Sequence, residues 1–158
     1  MATLTVGDKA PDFSLPVADG STIRLKNLRG KTVVLYFYPK DNTSGCTAEA
    51  CSFRDHIKVF AKAGAVVIGI SADSVESHRK FTEKFDLPFP LGSDETKEVL
   101  KAYGVWQKKS LYGRSYLGIV RTTIVVDPKG IVAKVYSKVK VNGHVETVLD
   151  DLVNGAKD

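Results

Sequence analysis

The sequence predicts a mixed α/β fold, in which a central β-sheet is flanked by helices and a β-hairpin lies at the N-terminus. Strand-like and helix-like segments alternate along the chain. Two six-residue apolar runs, Val33–Tyr38 and Ala65–Ile70, lack polar alternation and are typical of strands buried on both faces. The chain has 158 residues, 43% of them hydrophobic, which suffices for one core. We therefore expect a single domain spanning residues 1–158.

Each element follows from a local pattern. Phe13–Val17 and Thr22–Leu25 flank Asp19-Gly20, a pair that favours a tight hairpin turn. Thr32–Tyr38 is β-branched and aromatic throughout, and Pro39 ends this central strand. The other segments continue the alternation: a helix over about 46–62, a strand at 65–71, a helix at 74–85 leading to 87–91, a short helix at 96–103, a hairpin of 119–126 and 131–136, and a closing helix at 145–153.

Charge and hydropathy argue against two function classes. The net charge is +5, and nine basic residues lie in 101–140 beside one acid, Asp127. No nucleic-acid reading or base-stacking motif accompanies them, so we expect a solvated face or a docking surface for an acidic protein, and no nucleic-acid partner. The apolar runs fall far short of the roughly 18 residues that span a bilayer, and the first twenty residues lack a secretory apolar stretch. We expect no membrane association and a cytoplasmic location, or an organelle if a transit peptide has been removed.

Two cysteines, Cys46 and Cys51, indicate a reactive thiol better than a structural bridge. They are too few for a secreted disulfide scaffold, and their spacing misses the C-x-x-C of zinc sites and dithiol oxidoreductases. His56, His78 and His144 are scattered, and none has a second histidine four residues away. We therefore expect neither a metal site nor a cofactor.

Cys46 follows a strand and a polar loop, which places it in the first turn of the predicted helix. There, unpaired backbone N–H groups and the helix dipole favour the thiolate over the thiol. Ala50, Phe53, Ile57 and Phe60 continue from Cys46 at steps of three and four, so the sulfur faces inward. A small buried hydrophobe is the alternative interpretation of a cysteine on such a stripe.

Arg121 favours the reactive interpretation. It lies within the predicted strand Ile119–Val126, where a buried guanidinium is costly unless an anion meets it. The Cys46 thiolate is a natural candidate, and the arginine would also donate hydrogen bonds to a bound peroxide. Pairing with a carboxylate at a strand edge is the alternative. A thiolate in such a site suits peroxide reduction, which stabilises a leaving oxygen and yields a sulfenic acid.

Cys51 is the other thiol of the chain that can condense with a Cys46 sulfenic acid. In an intact helix, positions five apart lie about 140° around the axis, with Cα atoms roughly 8 to 9 Å apart. A disulfide tolerates at most about 7 Å. Either the first helical turns unwind during turnover, or Cys51 is a bystander and an external thiol resolves the sulfenic acid.

The run Pro39-Lys40-Asp41-Asn42-Thr43-Ser44-Gly45-Cys46 matches P-x-x-x-T-x-x-C, the active-site signature of peroxiredoxins. The chain resembles their bacterioferritin comigratory protein, or peroxiredoxin Q, branch over nearly its whole length. The resemblance implies a thioredoxin-like fold, a monomer or weak dimer, and reduction of hydrogen peroxide and alkyl hydroperoxides. It also implies that Cys46 is peroxidatic and Cys51 resolving, through an intramolecular disulfide that thioredoxin or a similar reductant reopens.

The resemblance assigns further roles to matching positions. Thr43 and Arg121 would organise the thiolate and the peroxide, and Pro39 would shield the site from water. The backbone N–H groups of Gly45 and the following cysteine would help hold the peroxide. Glu49 matches a glutamate typical of the branch and is grouped with Gly45 as substrate-binding, although an acid in the first helical turn that complements the dipole explains it equally well.

Two other function classes stay open at this point. In a redox sensor or chaperone-like domain, Cys46 would be oxidised once and change the affinity for a partner, and little peroxide would be consumed. A thioredoxin-like disulfide reductase is disfavoured by the missing C-x-x-C.

Overall fold

Strands and helices alternate along residues 4–155, the part of the chain that the structure, a computed structural model, describes. In chain order the elements are β1 (Ser14–Pro16), β2 (Thr22–Arg24), a 3-10 helix (Leu25–Leu28), β3 (Thr32–Phe37), α1 (Ser44–Asp55), α2 (Ile57–Lys62), β4 (Ala65–Ser71), α3 (Val75–Phe85), β5 (Leu91–Ser93), α4 (Glu98–Ala102), β6 (Trp106–Leu111), β7 (Arg114–Ile119), β8 (Thr122–Val126), β9 (Val132–Tyr136) and α5 (His144–Gly155).

A mixed five-stranded sheet of order β5-β4-β3-β8-β9 confirms the predicted fold class. β3 lies at its centre, parallel to β4 and antiparallel to β8. Alternate residues of β3 enter two different cores, Val33 and Leu35 on one face and Val34 and Tyr36 on the other. Because both faces of the strand are covered, its apolar run is continuous. The predicted N-terminal hairpin is also present, as the antiparallel pair β1 and β2.

The helix expected over 46–62 begins at Ser44 and is divided at His56 into α1 and α2. His56 explains the break, because its side-chain Nδ1 donates a hydrogen bond to the Ser52 carbonyl at 2.8 Å. That carbonyl would otherwise accept the backbone N–H of His56, which turns instead to Phe53. α1 is therefore an independent helix of 12 residues.

The strand predicted over 119–126 was wrong as one continuous strand, because Val120 and Arg121 lie between two strands. β7 ends at Ile119 and β8 begins at Thr122, so Arg121 lies in the junction between two sheets. The hairpin of β6 and β7 was missed, because β6 is largely polar and its turn, at Tyr112 and Gly113, has positive φ at both residues. Tyrosine is an uncommon residue for that conformation.

Sheet register places the Arg121 junction beside the loop that leads to α1. β3 pairs with β8 so that Phe37 lies opposite Thr122. The residues that follow Phe37 and those that precede Thr122 therefore leave the sheet at the same end of the paired strands. Within residues 4–155, no helix has both the length and the apolar character needed to cross a membrane.

Candidate active site

Cys46 is the third residue of α1 and is almost completely buried. It packs in the core on the α1 side of the sheet with Ala50 and Phe53, as the apolar spacing predicts. The first hydrogen bond of the helix runs from Thr47 N to Thr43 O at 2.8 Å. The N–H groups of Gly45 and Cys46 thus precede the helical ladder and point toward the open end of α1.

Arg121 divides its guanidinium between two groups of α1. Its Nη2 donates to Cys46 Sγ at 3.3 Å, and its Nη1 donates to Glu49 Oε1 at 2.6 Å. The structure thus brings Arg121 to both the thiol and the carboxylate that sequence analysis treated as alternatives. Burial lowers the pKa of Arg121, but Glu49 and Cys46 more than offset that effect, so the pKa is raised overall.

Glu49 is fully buried on the inner face of α1, one turn after Cys46. It lies beyond the first turn of the helix, so complementing the dipole does not account for it. Burial raises its pKa to about 7, and the pairing with Arg121 limits that rise. Glu49 Oε2 and the hydroxyl of Tyr36 are buried atoms without a hydrogen-bond partner among the described residues. Burial, and then the Glu49 charge, raise the pKa of Tyr36 well above its usual value.

Gly45 lies directly against the arginine. A Cβ at this position would be 3.2 Å from Arg121 Nη2, closer than ordinary contacts allow. Thr43 is the N-cap residue of α1, but its hydroxyl donates to the Lys40 carbonyl at 2.9 Å and does not cap the helix. Pro39 is exposed at the start of the loop, and its shielding role stays a prediction.

Cys51 is half-buried and lies in the same unbroken helix as Cys46. Neither cysteine forms a disulfide. The structure therefore does not bring the two sulfurs together, and the helical separation expected from the sequence applies as long as α1 stays folded.

Sequence analysis missed two histidine contacts near the site. His144 Nε2 lies 2.8 Å from Thr123 Oγ1, and burial, followed by the nearby Arg121 charge, lowers the pKa of His144 to about 4. His78 Nδ1, on α3, lies 2.7 Å from Oδ2 of Asp41, which belongs to the loop between β3 and α1. Asp41 occupies an unspecified position of the signature motif, so the pattern gave no signal for this pair.

The sequence profile of the AhpC/TSA family matches residues 6–135. The chain belongs to the peroxiredoxin family. Peroxiredoxin Bcp of Bacillus subtilis is 47% identical to it over 150 residues, which are 95% of this chain and 96% of that protein. Peroxiredoxin Bcp of Escherichia coli K12 is 43% identical over 150 residues, with coverage of 95% and 96%.

Solved structures agree with this assignment. Peroxiredoxin Q of Xanthomonas campestris superposes with a TM-score of 0.89 at 40% identity, over 97% of both chains. The Xanthomonas campestris bacterioferritin comigratory protein, described with alkyl peroxide reduction activity, gives 0.90 at 39% identity over 99% of both. This peroxiredoxin therefore has the thioredoxin-like fold expected from the resemblance, falls in the Bcp and peroxiredoxin Q branch, and is a peroxidase.

Proposed function

We propose that Cys46 is the residue of this peroxiredoxin that attacks the peroxide. Its thiolate sulfur displaces one oxygen of hydrogen peroxide or of an alkyl hydroperoxide, so that an S–O bond forms as the O–O bond breaks. The sulfur becomes a sulfenic acid, and the leaving oxygen takes a proton and departs as water or alcohol. The observation that supports this most strongly is the 3.3 Å contact of Arg121 Nη2 with Cys46 Sγ at the start of α1.

The start of α1 supplies donors for the oxygen on which charge develops. The N–H groups of Gly45 and Cys46 lie ahead of the first helical hydrogen bond, and the Arg121 guanidinium faces the same sulfur. Such preorganised donors stabilise a transition state at no reorganisation cost. We assign the Thr43 hydroxyl, which rests on the Lys40 carbonyl, to the same oxygen-binding group.

Glu49 acts through Arg121 in this proposal and does not bind peroxide. Its carboxylate receives Nη1 and thereby fixes the plane of the guanidinium, so that Nη2 faces the sulfur. A planar, forked donor held at one end is oriented at the other. This differs from the substrate-binding role expected from the sequence, because the buried carboxylate is already engaged with the arginine.

For the second half of the cycle, we propose that Cys51 attacks the Cys46 sulfenic sulfur, with release of water and formation of a disulfide. Because both residues lie in α1, the segment from Cys46 to Cys51 must unwind first. Thioredoxin or a similar dithiol donor would then return both cysteines to thiols and become oxidised itself. A cytoplasmic location fits this donor, since dithiol systems keep thiols reduced there.

Two cysteine variants test the scheme. Cys46→Ser should consume no peroxide in the presence of a thioredoxin system, and retained consumption would overturn the assignment. Cys51→Ser is the matched control: one equivalent of peroxide should still oxidise Cys46, but mass spectrometry should show an added oxygen. The native chain treated in the same way should show a loss of two hydrogens. An added oxygen in the native chain as well would assign resolution to an outside thiol.

A further inference from the structure

A buried polar cluster anchors the loop between β3 and α1 through Asp41. Asp41 is only 6% exposed, although Lys40 and Asn42 on either side of it are exposed. Its carboxylate accepts three hydrogen bonds, from Tyr38 Oη at 2.5 Å, Ser77 Oγ at 2.8 Å and His78 Nδ1 at 2.7 Å. A loop residue fixed by three donors has little freedom to move.

His78 is the fully buried member of this cluster and lies on the inner face of α3. Its second ring nitrogen, Nε2, is 3.0 Å from the carbonyl oxygen of Gly92 in β5. A carbonyl oxygen only accepts, so Nε2 carries a proton. Nδ1 then lies 2.7 Å from Asp41 Oδ2, on a carboxyl group that two hydroxyl groups also contact. His78 thereby connects the loop to β5.

The main chain of Asp41 is held independently. Its N–H donates to Asp73 Oδ2 at 2.8 Å, and the same oxygen accepts the Ser71 hydroxyl at 2.7 Å. Asp73 lies two residues after the end of β4. Asp41 is therefore fixed to elements that carry neither Cys46 nor Arg121.

The position of Asp41 is transmitted to the sulfur through a short chain of contacts. Asn42 adopts a left-handed φ of 60°, which turns the loop back toward α1. Thr43 then donates to Lys40 O and accepts from Thr47 N, so the loop and the first turn of the helix share one set of hydrogen bonds. Displacement of Asp41 would thus displace the first turn and change the approach of Cys46 to the arginine.

We propose that His78 is a positioning residue of the peroxidase, which acts through Asp41 to hold the loop so that Cys46 meets Arg121. The inference rests on the proposed role of Cys46. It concerns the peroxide step alone, because the Cys46–Cys51 disulfide requires unwinding of α1 downstream of the anchored loop.

Two substitutions of His78 separate its two hydrogen bonds. His78→Asn places an amide donor near the position of Nδ1 and loses the bond to Gly92, whereas His78→Gln reaches toward Gly92 and loses the bond to Asp41. We expect the Gln variant to lose about 10- to 100-fold in the second-order rate constant for hydrogen peroxide. The rate constant of the Asn variant should stay within roughly threefold of the native value, since this variant retains the hydrogen bond to Asp41. Arg79→Gln, an exposed neighbour on α3 that pairs with Glu76, is the control and should be unchanged.

The rate constants are measured by rapid-quench mass spectrometry of Cys46 oxidation, at a temperature where circular dichroism shows every variant fully folded. Disulfide formation from the sulfenic acid is followed in the same samples and should change less than about twofold. Equal peroxide rates for native and Gln variants would overturn the proposal, and so would an Asn variant as slow as the Gln variant. A slowing of both steps by the same factor would show general damage and would also overturn it.

Asp41→Asn provides the second route if His78→Gln does not fold. It removes the charge with almost no change of shape and should lose the peroxide rate to the same extent. The double variant Asp41→Asn with His78→Gln should be no slower than either single variant, because both changes act through one contact. Multiplying losses would refute the coupling. Cys46→Ser, assayed in parallel, distinguishes failure of this inference from failure of the proposed peroxide chemistry.

Discussion

The buried carboxylate of Glu49 makes a quantitative prediction about stability and pH. Its pKa is raised by burial from 4.5 to about 7 in the folded chain. Each pKa unit corresponds to about 1.4 kcal/mol. The folded state therefore carries a cost of about 3 kcal/mol once Glu49 is ionised, and none while the carboxyl keeps its proton.

The sign of the effect follows from proton binding. Between pH 4.5 and about 7 the unfolded chain has lost this proton and the folded chain retains it. The folded state then binds more protons, so the free energy of unfolding falls as pH rises through this window. Below pH 4.5 the contribution of Glu49 to stability is fully present, and above about 7 it has been lost.

Glu49→Gln isolates this contribution. The glutamine retains an oxygen for Arg121 Nη1 and does not ionise. We expect the free energy of unfolding of the variant, relative to the native chain, to increase by about 3 kcal/mol between pH 4.5 and pH 7.5. Urea denaturation at half-unit pH steps measures this difference. Any pH-independent effect of the substitution shifts the difference curve without changing its slope.

A difference curve is required because His144 titrates in the opposite sense. Its pKa is lowered to about 4, so the folded chain loses stability as pH falls from 6.5 toward 4. The two groups partly cancel in the native chain. Glu83→Gln, which replaces an exposed carboxylate on α3, is the matched control for the loss of one carboxyl group. If Glu49→Gln gave a flat curve, the inferred cost of ionising Glu49 would be refuted.

Three further substitutions test packing around the site. Gly45→Ala should gain up to about 1 kcal/mol of stability from helix propensity. Because the added Cβ would lie 3.2 Å from Arg121 Nη2, the variant should lose about tenfold in the peroxide rate constant. An unchanged rate constant in stopped-flow assays would contradict this expectation. Gly69→Ala should cost about 1 to 3 kcal/mol in urea denaturation, because its Cβ would lie 2.7 Å from the Tyr36 ring; a cost near zero would mean that the ring moves freely. Ser52→Ala should strengthen α1 by about 0.5 kcal/mol and slow disulfide formation about twofold, with the peroxide step unchanged; equal effects on both steps would argue against unwinding.

The sheet and the position of Cys46 were predictable because each depends on local pattern. An unbroken apolar run marks β3, and a cysteine after a strand and a polar loop lies at a helix start. Arg121 was singled out for a related reason, as a cation in an otherwise apolar segment. The structure places Arg121 at a junction between two strands and not within one. The sequence did not indicate this junction, because the polar hairpin before Arg121 has no apolar alternation that would reveal β7.

The contacts of Arg121 with Glu49 and of Asp41 with His78 were not predictable, because each joins distant segments of the chain. Glu49 has the sequence environment of an ordinary helix acid, and only the packing of α1 shows that it is buried against Arg121, 72 positions away. Asp41 and His78 are separated by 37 positions. Hydrophobic periodicity describes which face of an element is covered, but it does not identify which polar group lies opposite.

Thr43 connects the two halves of the proposed cycle. A threonine at the N-cap commonly bonds a backbone N–H of the first turn, and loss of that bond typically costs about 1 kcal/mol. Here the hydroxyl bonds Lys40 O, so α1 lacks this stabilisation and the N–H groups of its first turn remain available to a peroxide oxygen. The segment that must unwind in the proposed cycle, from Cys46 to Cys51, begins in this first turn. One unformed cap therefore favours oxygen binding in the folded helix and lowers the cost of unwinding it afterwards.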